Sequence, residues 1–213
     1  MQKLLQDIKP DTGYRKAVSE MRAIDIYSFI AKEKMGDGHS PYAFERIALW
    51  LKYQRSMSVS DVIKYLSDFK EDSGKLKNVH QNSWFRWSTP SRSDQSNNIY
   101  YETWVPLRDA INALLASHGR SVSDFTHEPT YTPENIKTIR KALGLDHAKF
   151  ARIVGFTSAK IAEQMEDVDP ISNRRGAGFD DWKEIIHRID QARIFKENIT
   201  KIPVLPKIVA PNQ

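Results

Sequence analysis

Hydrophobic residues recur at spacings of three and four along most of this chain, and alternating patterns of the strand type are almost absent. This periodicity predicts an all-α fold, because positions three and four apart share one face of a helix. The first third of the chain shows the pattern in three segments, which we expect to form helices at residues 13–35, 40–54 and 58–69. Gly36 and Gly38 would end the first of them.

Polar sequence interrupts the middle of the chain before the helical pattern resumes. A stretch rich in Ser, Asn and Gln surrounds Trp84 and Trp87 and leads to a predicted helix at residues 100–119. Pro106 lies in that helix and would be tolerated only in its first turn, because proline lacks the N–H that an interior turn uses. The segment 121–131 has the composition of a boundary between two units.

Residues 132–168 predict a helix-turn-helix arrangement, in which two short helices share a small core across a sharp turn. The signals are a helix start at Thr132 and Pro133, a helix end at Gly144, a second start at Asp146, a tight turn at Gly155 and a third start at Thr157 or Ser158. The expected core positions are Ile136, Ile139, Leu143, Phe150, Ala151, Val154, Phe156 and Ile161.

This segment resembles the lambda-repressor and Cro-like helix-turn-helix class, most closely the anti-CRISPR-associated and related phage-type regulators. The resemblance is carried by Ile136, Arg140, Leu143, Leu145, Phe150, Ala151, Gly155, Thr157 and Ile161. The class often has Trp then Glu late in its recognition helix, whereas this chain has Gln164 and Met165 there, with Glu166 one step later. The resemblance implies a regulator from a phage, plasmid or other mobile element that inserts one helix into the major groove of DNA.

A degenerate second copy of this unit is predicted upstream. The sequence SWFRWSTPSR at residues 83–92 resembles the late part of the recognition helix in that class, where an aromatic residue precedes a second Trp. An offset of 77 to 78 residues aligns Val79 with Phe156, Trp84 with Ile161, Trp87 with Gln164, Tyr101 and Trp104 with Phe179 and Trp182, and Leu107 and Ile111 with Ile185 and Ile189. We therefore expect two tandem helix-turn-helix units, the first with extra residues and without the turn glycine.

The expected organisation is an N-terminal helix at 1–39, a first unit at 40–120, a second unit at 130–196 and an extended tail at 197–213. The apolar stripe of the N-terminal helix is long enough to pair with a copy of itself, and operators of this class mirror a two-fold axis, so a homodimer is expected. The alternative is that the stripe packs on the first unit. Three prolines exclude a tail that is helical throughout.

Composition narrows the function classes. The 213 residues contain 32 Lys and Arg against 27 Asp and Glu, and this net charge of +5 suits an anionic partner such as nucleic acid. Cysteine is absent, and we find no metal-ligand spacing of histidines, no P-loop and no nucleophile elbow. We expect neither an enzyme nor a cofactor or metal. No apolar run or secretory signal indicates a membrane, so a cytoplasmic protein is expected.

Candidate DNA-contacting residues follow from the helix-turn-helix expectation. The N-terminal part of a recognition helix meets base edges, and basic side chains beside it meet phosphates. In the second unit the candidates are Thr157, Ser158, Lys160 and Gln164 on the recognition helix, and Lys149, Arg152, Arg174 and Arg175 for the DNA backbone. In the first unit they are Gln81, Asn82, Phe85, Arg86 and Arg92, with Trp84 and Trp87 facing the core.

These residues lead us to expect a sequence-specific regulator that binds double-stranded DNA, in particular a repressor that occludes a promoter. Two other classes stay open: an inhibitor of the anti-CRISPR or antirestriction type that uses the scaffold to bind a protein, and a replication or partition protein that binds repeated origin sites. The charge of the face that carries Ser158, Lys160 and Gln164 indicates whether the partner is DNA or a protein. A continuous basic face favours DNA, and an acidic or apolar face favours a protein.

Overall fold

The computed structural model describes residues 4–69, 79–88, 99, 101–169 and 176–201. Within these ranges the chain forms ten α-helices and one 3-10 helix, with no strand, which confirms the all-α expectation. The helices are α1 (Thr12–Glu20), α2 (Ile26–Lys32), α3 (Pro41–Arg55), α4 (Val59–Asp68), α5 (Gln81–Trp87), α6 (Tyr101–Ala116), the 3-10 helix (Val122–Phe125), α7 (Pro133–Leu143), α8 (His147–Val154), α9 (Ala159–Met165) and α10 (Phe179–Lys201).

Four of the predicted helix starts coincide with a capping side chain. Ser40, Ser58, Thr132 and Asp146 each accept a hydrogen bond from a backbone N–H of the first turn that follows. These N–H groups have no partner inside the helix, so a side-chain oxygen at the cap satisfies them. The starts of α3, α4, α7 and α8 are therefore local properties of the sequence, and their prediction is confirmed.

The prediction of one helix over residues 13–35 is wrong. Met21 is extended, and α1 ends before it, while Asp25 begins α2 by accepting hydrogen bonds from two backbone N–H groups. The ammonium group of Lys196 donates to the carbonyl groups of Ser19 and Met21. Capping by Asp25 and these contacts with α10 therefore compete with a continuous helix.

The expectation that Pro106 lies in the first turn of its helix is also wrong. Pro106 lies in the interior of α6, beyond the first turn, although its missing N–H leaves one carbonyl group without a helical partner. Leu107 and Ile111 on the same helix are fully buried. Burial of this face offsets the lost hydrogen bond, because helices in proteins are stabilised mostly by packing. The helix ends at Ala116, three residues before the predicted end at 119.

Both terminal segments differ from their expected organisation. The apolar face of α1, which includes Tyr14 and Val18, is buried against α8 and α10 of the second unit. The part of the predicted stripe that lies on α1 is thus covered within the chain, mainly by the second unit and not by the first unit of the alternative. The homodimer stays a prediction.

At the C-terminal end, α10 continues to Lys201, so the tail is not extended from residue 197 as expected. The rest of the tail lies outside the described residues.

The predicted boundary at 121–131 is a packed connection. Glu128 accepts two hydrogen bonds from the Arg46 guanidinium group, at 2.6 and 2.8 Å. The Thr130 hydroxyl group accepts from the N–H of Gly38 at 2.7 Å and donates to a carbonyl group. Tyr131 then contacts the rings of Tyr101 and Trp182, one from each unit. The two units therefore meet through aromatic packing, and the buried residues form one continuous core.

Helices α3–α6 and α7–α10 follow the same plan. The helices α5 and α9 begin 78 positions apart, and so do α6 and α10. The buried residues of the last pair match at the same offset: Tyr101 with Phe179, Trp104 with Trp182, Leu107 with Ile185, Ile111 with Ile189 and Leu114 with Ala192. This register places Trp84 opposite Ala162 and Trp87 opposite Met165, one residue from the predicted pairing with Ile161 and Gln164.

The first two helices of each unit also match, with two changes in length. Buried positions pair as Phe44 with Ile136, Ile47 with Ile139, Leu51 with Leu143, Val62 with Phe150 and Leu66 with Val154. Helix α3 has 15 residues and α7 has 11, a difference close to one helical turn, which keeps the same face inward. Between the second and third helices, the first unit has residues 69–80 where the second has only 155–158.

Candidate functional site

Helices α8 and α9 form the sharp turn that the sequence predicts. Gly155 follows α8 in the left-handed conformation, with φ of 81°, and its N–H donates to the carbonyl group of Ala151. Three residues later Ser158 precedes α9, although its side chain makes no capping hydrogen bond. The connection is thus only four residues long, and it sets two short helices against each other as a helix-turn-helix requires.

Neighbouring segments leave no room for a side chain at Gly155. A Cβ atom there would lie 2.8 Å from the carbonyl oxygen of Gln6 and 2.0 Å from a guanidinium nitrogen of Arg188. The same two residues also hold the turn, because the N–H of Gln6 donates to the Gly155 carbonyl at 2.9 Å and Arg188 donates to the carbonyl of Val154 at 3.1 Å. Glycine is therefore needed both for its positive φ and for this close approach.

The inner face of α9 is anchored in the core. Ala162 and Met165 are buried, and the Tyr131 hydroxyl group donates to the carbonyl group of Met165 at 2.8 Å. Phe150 and Phe156, both buried as predicted, pack edge to face beneath the turn. Ile161, the predicted core residue of this helix, is only partly buried. The predicted inward face was therefore centred one residue too early.

An ion pair fixes the end of α9 to α7. Arg140 donates two hydrogen bonds to the carboxylate of Glu166, one of them 2.8 Å long, and a third to the carbonyl of Leu145 at 2.9 Å. His147 lies 3.2 Å from the same carboxylate. Burial raises the pKa of Glu166, but the hydrogen bonds from Arg140 and His147 outweigh that effect and hold the pKa below its usual value. The pair thus orients α9 relative to the rest of the second unit.

The outer face of α9 gathers the predicted contact residues. Thr157, Ser158, Lys160 and Gln164 are all exposed on this side of the unit, as a recognition helix requires. Glu163, which is not among the predicted contact residues, is exposed next to them. The face therefore carries one ammonium and one carboxylate group, so it is neither continuously basic nor acidic or apolar.

The predicted backbone-contacting residues of α8 are paired with the N-terminal segment. Lys149 lies 2.6 Å from Glu20 and 3.0 Å from Asp146, and Arg152 lies 3.0 Å from Asp11. The hydrogen bonds from Lys149 to Glu20 and Asp146 raise the pKa of the ammonium group. Exposed ion pairs stabilise little. These pairs therefore reduce the positive charge that Lys149 and Arg152 offer to an anion, but an anion can still displace the partner carboxylates.

Helix α5 presents the predicted contact residues of the first unit. Gln81, Asn82, Phe85 and Arg86 are exposed, whereas Trp84 is buried and contacts the ring of Phe44. Trp87 is partly buried and packs on the same core. The expectation that the tryptophans face inward is confirmed for Trp84 and in part for Trp87. Three other predicted contacts, Arg92, Arg174 and Arg175, lie outside the described residues.

The histidines of this chain are expected at the surface or in capping positions, and for His39 this expectation is wrong, because its side chain is buried beside this core. The ring of His39 lies among Phe44 and Trp104, with ring centroids 5.3 and 5.5 Å away. Burial lowers the pKa of His39 to about 3, and the backbone of Trp87 offsets only part of that effect. The interaction with the Trp87 backbone is weak, because neither ring nitrogen makes a hydrogen bond of normal geometry with a described residue. His39 is therefore a neutral core residue. In the sequence, the one local feature that could have indicated its burial is its position just before Ser40, which caps α3.

Comparison with known proteins finds no matching family model, no similar curated protein and no similar solved structure. Among the described helices, none is both long and apolar enough to cross a lipid bilayer.

Proposed function

We propose that this protein binds double-stranded DNA in a sequence-specific manner through α9 and acts as a transcriptional regulator. The observation that carries the proposal is the geometry of α8 and α9. A connection with Gly155 in the left-handed conformation joins these two short helices. The outer face of α9 exposes Ser158, Lys160 and Gln164, and its inner face is buried in the core. A helix held in this way can enter the major groove as a rigid element.

The exposed side chains of α9 suit direct contact with bases. Lys160 can donate to the acceptors of guanine, and the Gln164 amide can pair with the edge of adenine. Thr157 and Ser158 at the start of the helix can donate to phosphate oxygens. Lys160 has no ion pair within the described part of the chain, so its charge is available to DNA. Binding at a promoter would exclude other proteins from it, which is the repressor mechanism.

The proposal is tested by selecting random duplex DNA on the purified protein at near-physiological salt and titrating the selected duplex with salt. We expect an enriched motif whose affinity falls steeply as salt rises, because phosphate contacts release counterions. Lys160→Ala and Gln164→Ala should weaken binding at particular base positions, by about 1–3 kcal/mol for a good bidentate contact.

The matched control for Lys160 is Lys137→Ala, which removes an exposed lysine from α7. It should leave the preferred sequence unchanged. The proposal is overturned if no motif is enriched, or if Lys160→Ala and Gln164→Ala bind the selected duplex like the unchanged protein at every base position.

A second candidate function is binding to a protein partner, as in an inhibitor built on the same scaffold. The observation that favours it is the mixed charge of the outer face, where Glu163 is exposed beside Lys160 and the nearby Arg152 is paired with Asp11. The Glu163→Gln variant separates the two functions. DNA affinity should rise when this carboxylate is neutralised, whereas a partner that contacts Glu163 should bind less tightly.

A further inference from the structure

The face of α5 differs from that of α9 in charge, although the two helices hold the same place in their units. Both have seven residues, and they begin 78 positions apart. The outer face of α5 carries Arg86 and no carboxylate, whereas the outer face of α9 carries the carboxylate of Glu163 beside Lys160. Arg86 makes no ion pair or hydrogen bond with any residue that the structure describes.

The inner face of α5 is anchored in the aromatic core of the first unit. Trp84 is buried, and its ring centroid lies 5.0 Å from that of Phe44. Trp87 contacts the same phenyl ring from the next turn, at 6.5 Å. Large rigid side chains of this kind fix the rotation of a short helix about its axis. The exposed side chains on the opposite face therefore have a defined direction.

We propose that α5 is a second DNA-contacting helix and that Arg86 contributes more to DNA affinity than Lys160 does. The guanidinium group can bind phosphate or the two acceptors of guanine in a bidentate manner, which an ammonium group cannot. Gln81 and Asn82 at the start of the helix can donate to base edges, and the exposed ring of Phe85 can contact a thymine methyl group. The inference rests on the proposed DNA-binding function.

Charge complementarity selects DNA as the occupant of this face. The described surface of α5 offers one guanidinium, two side-chain amides and a half-exposed aromatic ring, with no carboxylate to repel phosphate. On α9 the carboxylate of Glu163 lies three residues from Lys160 on the helix surface and opposes the approach of a polyanion. Attraction to DNA should therefore be stronger at α5 than at α9.

The experiment uses the full chain and the duplex selected by the unchanged protein. Arg86→Ala should lower affinity by about tenfold and reduce the salt slope by about one, as expected for one lost cationic contact. Lys160→Ala should have a smaller effect on both. Footprinting should show two protected segments for the unchanged protein and the loss of one of them for Arg86→Ala.

The control variant is Arg120→Ala, which removes another exposed arginine that has no ion pair within the described residues. It should change neither affinity nor footprint. Asn82→Ala provides a second variant on α5 that keeps the net charge, and it should weaken binding at particular base positions only. Thermal unfolding of each variant checks that the fold is retained.

The possible outcomes separate this inference from the proposed function. If the protein enriches a motif but Arg86→Ala binds as tightly as Arg120→Ala, or more tightly than Lys160→Ala, the role of α5 is overturned and DNA binding by α9 stands. If no duplex is enriched, both are overturned. Capture of a protein by the α5 face, lost in Arg86→Ala while DNA binding is unchanged, also overturns the inference.

Discussion

The two units of this protein share one helix plan but stabilise it by different means. In the first unit, rings of Phe44, Trp84 and Trp104 pack together around the buried His39. In the second, smaller residues fill the corresponding positions of α9, and the Arg140–Glu166 pair with a glycine turn fixes that helix. The same order and spacing of helices thus occurs with an aromatic core in one unit and with a buried ion pair in the other.

This difference follows from the connection between the second and third helices. Four residues join α8 to α9, so the chain must reverse sharply, and a positive φ is needed at Gly155. The longer connection from 69 to 80 relieves the first unit of that requirement. Among the described residues, Trp84 and Trp87 anchor α5 in the core.

The largest expected effect is the loss of the aromatic anchor. Trp84→Ala should destabilise the protein by about 3–5 kcal/mol, because it removes a buried indole and leaves a cavity against Phe44. Alanine occurs naturally at the matching position of α9, Ala162, but that core is built around a small residue. Urea unfolding measures the change. Phe85→Ala, on the exposed face, should cost about 1 kcal/mol or less. Equal effects would contradict the role of Trp84.

The glycine turn of the second unit should come next. Gly155→Ala should destabilise by about 2–4 kcal/mol, because alanine strains the positive φ and its Cβ atom would meet the carbonyl oxygen of Gln6. The control is Gly119→Ala, where φ is also positive but, apart from the chain neighbours, no described residue has an atom within 4 Å of the added Cβ. That variant should lose only about 1 kcal/mol. A similar loss at both glycines would show that contact with Gln6 and Arg188 adds nothing.

A pH titration of stability should distinguish the two cores. The pKa of His39 falls from 6.5 in a free side chain to about 3 in the fold, so the unfolded chain takes up the proton first. Stability from this group is therefore complete above pH 6.5 and is lost as the pH falls toward 3, at up to about 1.4 kcal/mol per pH unit. His39→Leu should remove that part of the slope. The exposed His80→Leu should keep it, and an unchanged slope in His39→Leu would contradict the assignment.

The smallest effect is expected at the exposed ion pairs of α8. Arg152→Ala should leave the midpoint of urea unfolding unchanged within error, since its partner Asp11 is exposed and such pairs stabilise little. Glu166→Gln, which breaks the buried pair with Arg140, should lower the midpoint clearly. A loss of stability in Arg152→Ala comparable to that in Glu166→Gln would mean that the N-terminal segment depends on this pair for its attachment.

Much of the candidate site could be predicted from the sequence. Thr132, Asp146 and Gly155 act through bonds to residues within four positions, so their types alone indicate where α7, α8 and the turn begin and end. The exposure of Lys160 and Gln164 follows from helical periodicity once the turn is placed. The inward face of α9 was misplaced by one residue, because only seven residues define its pattern.

The sequence by itself determined the helical class, the places where most helices begin, and the repeated plan of two units, since all of these depend on interactions between residues near each other in the chain. Tertiary structure alone decided that Pro106 is accepted inside α6 and that Arg152 is paired with Asp11. Each of these outcomes depends on the packing or charge of groups brought close only by the fold, and their free energies outweigh the local preference of the chain.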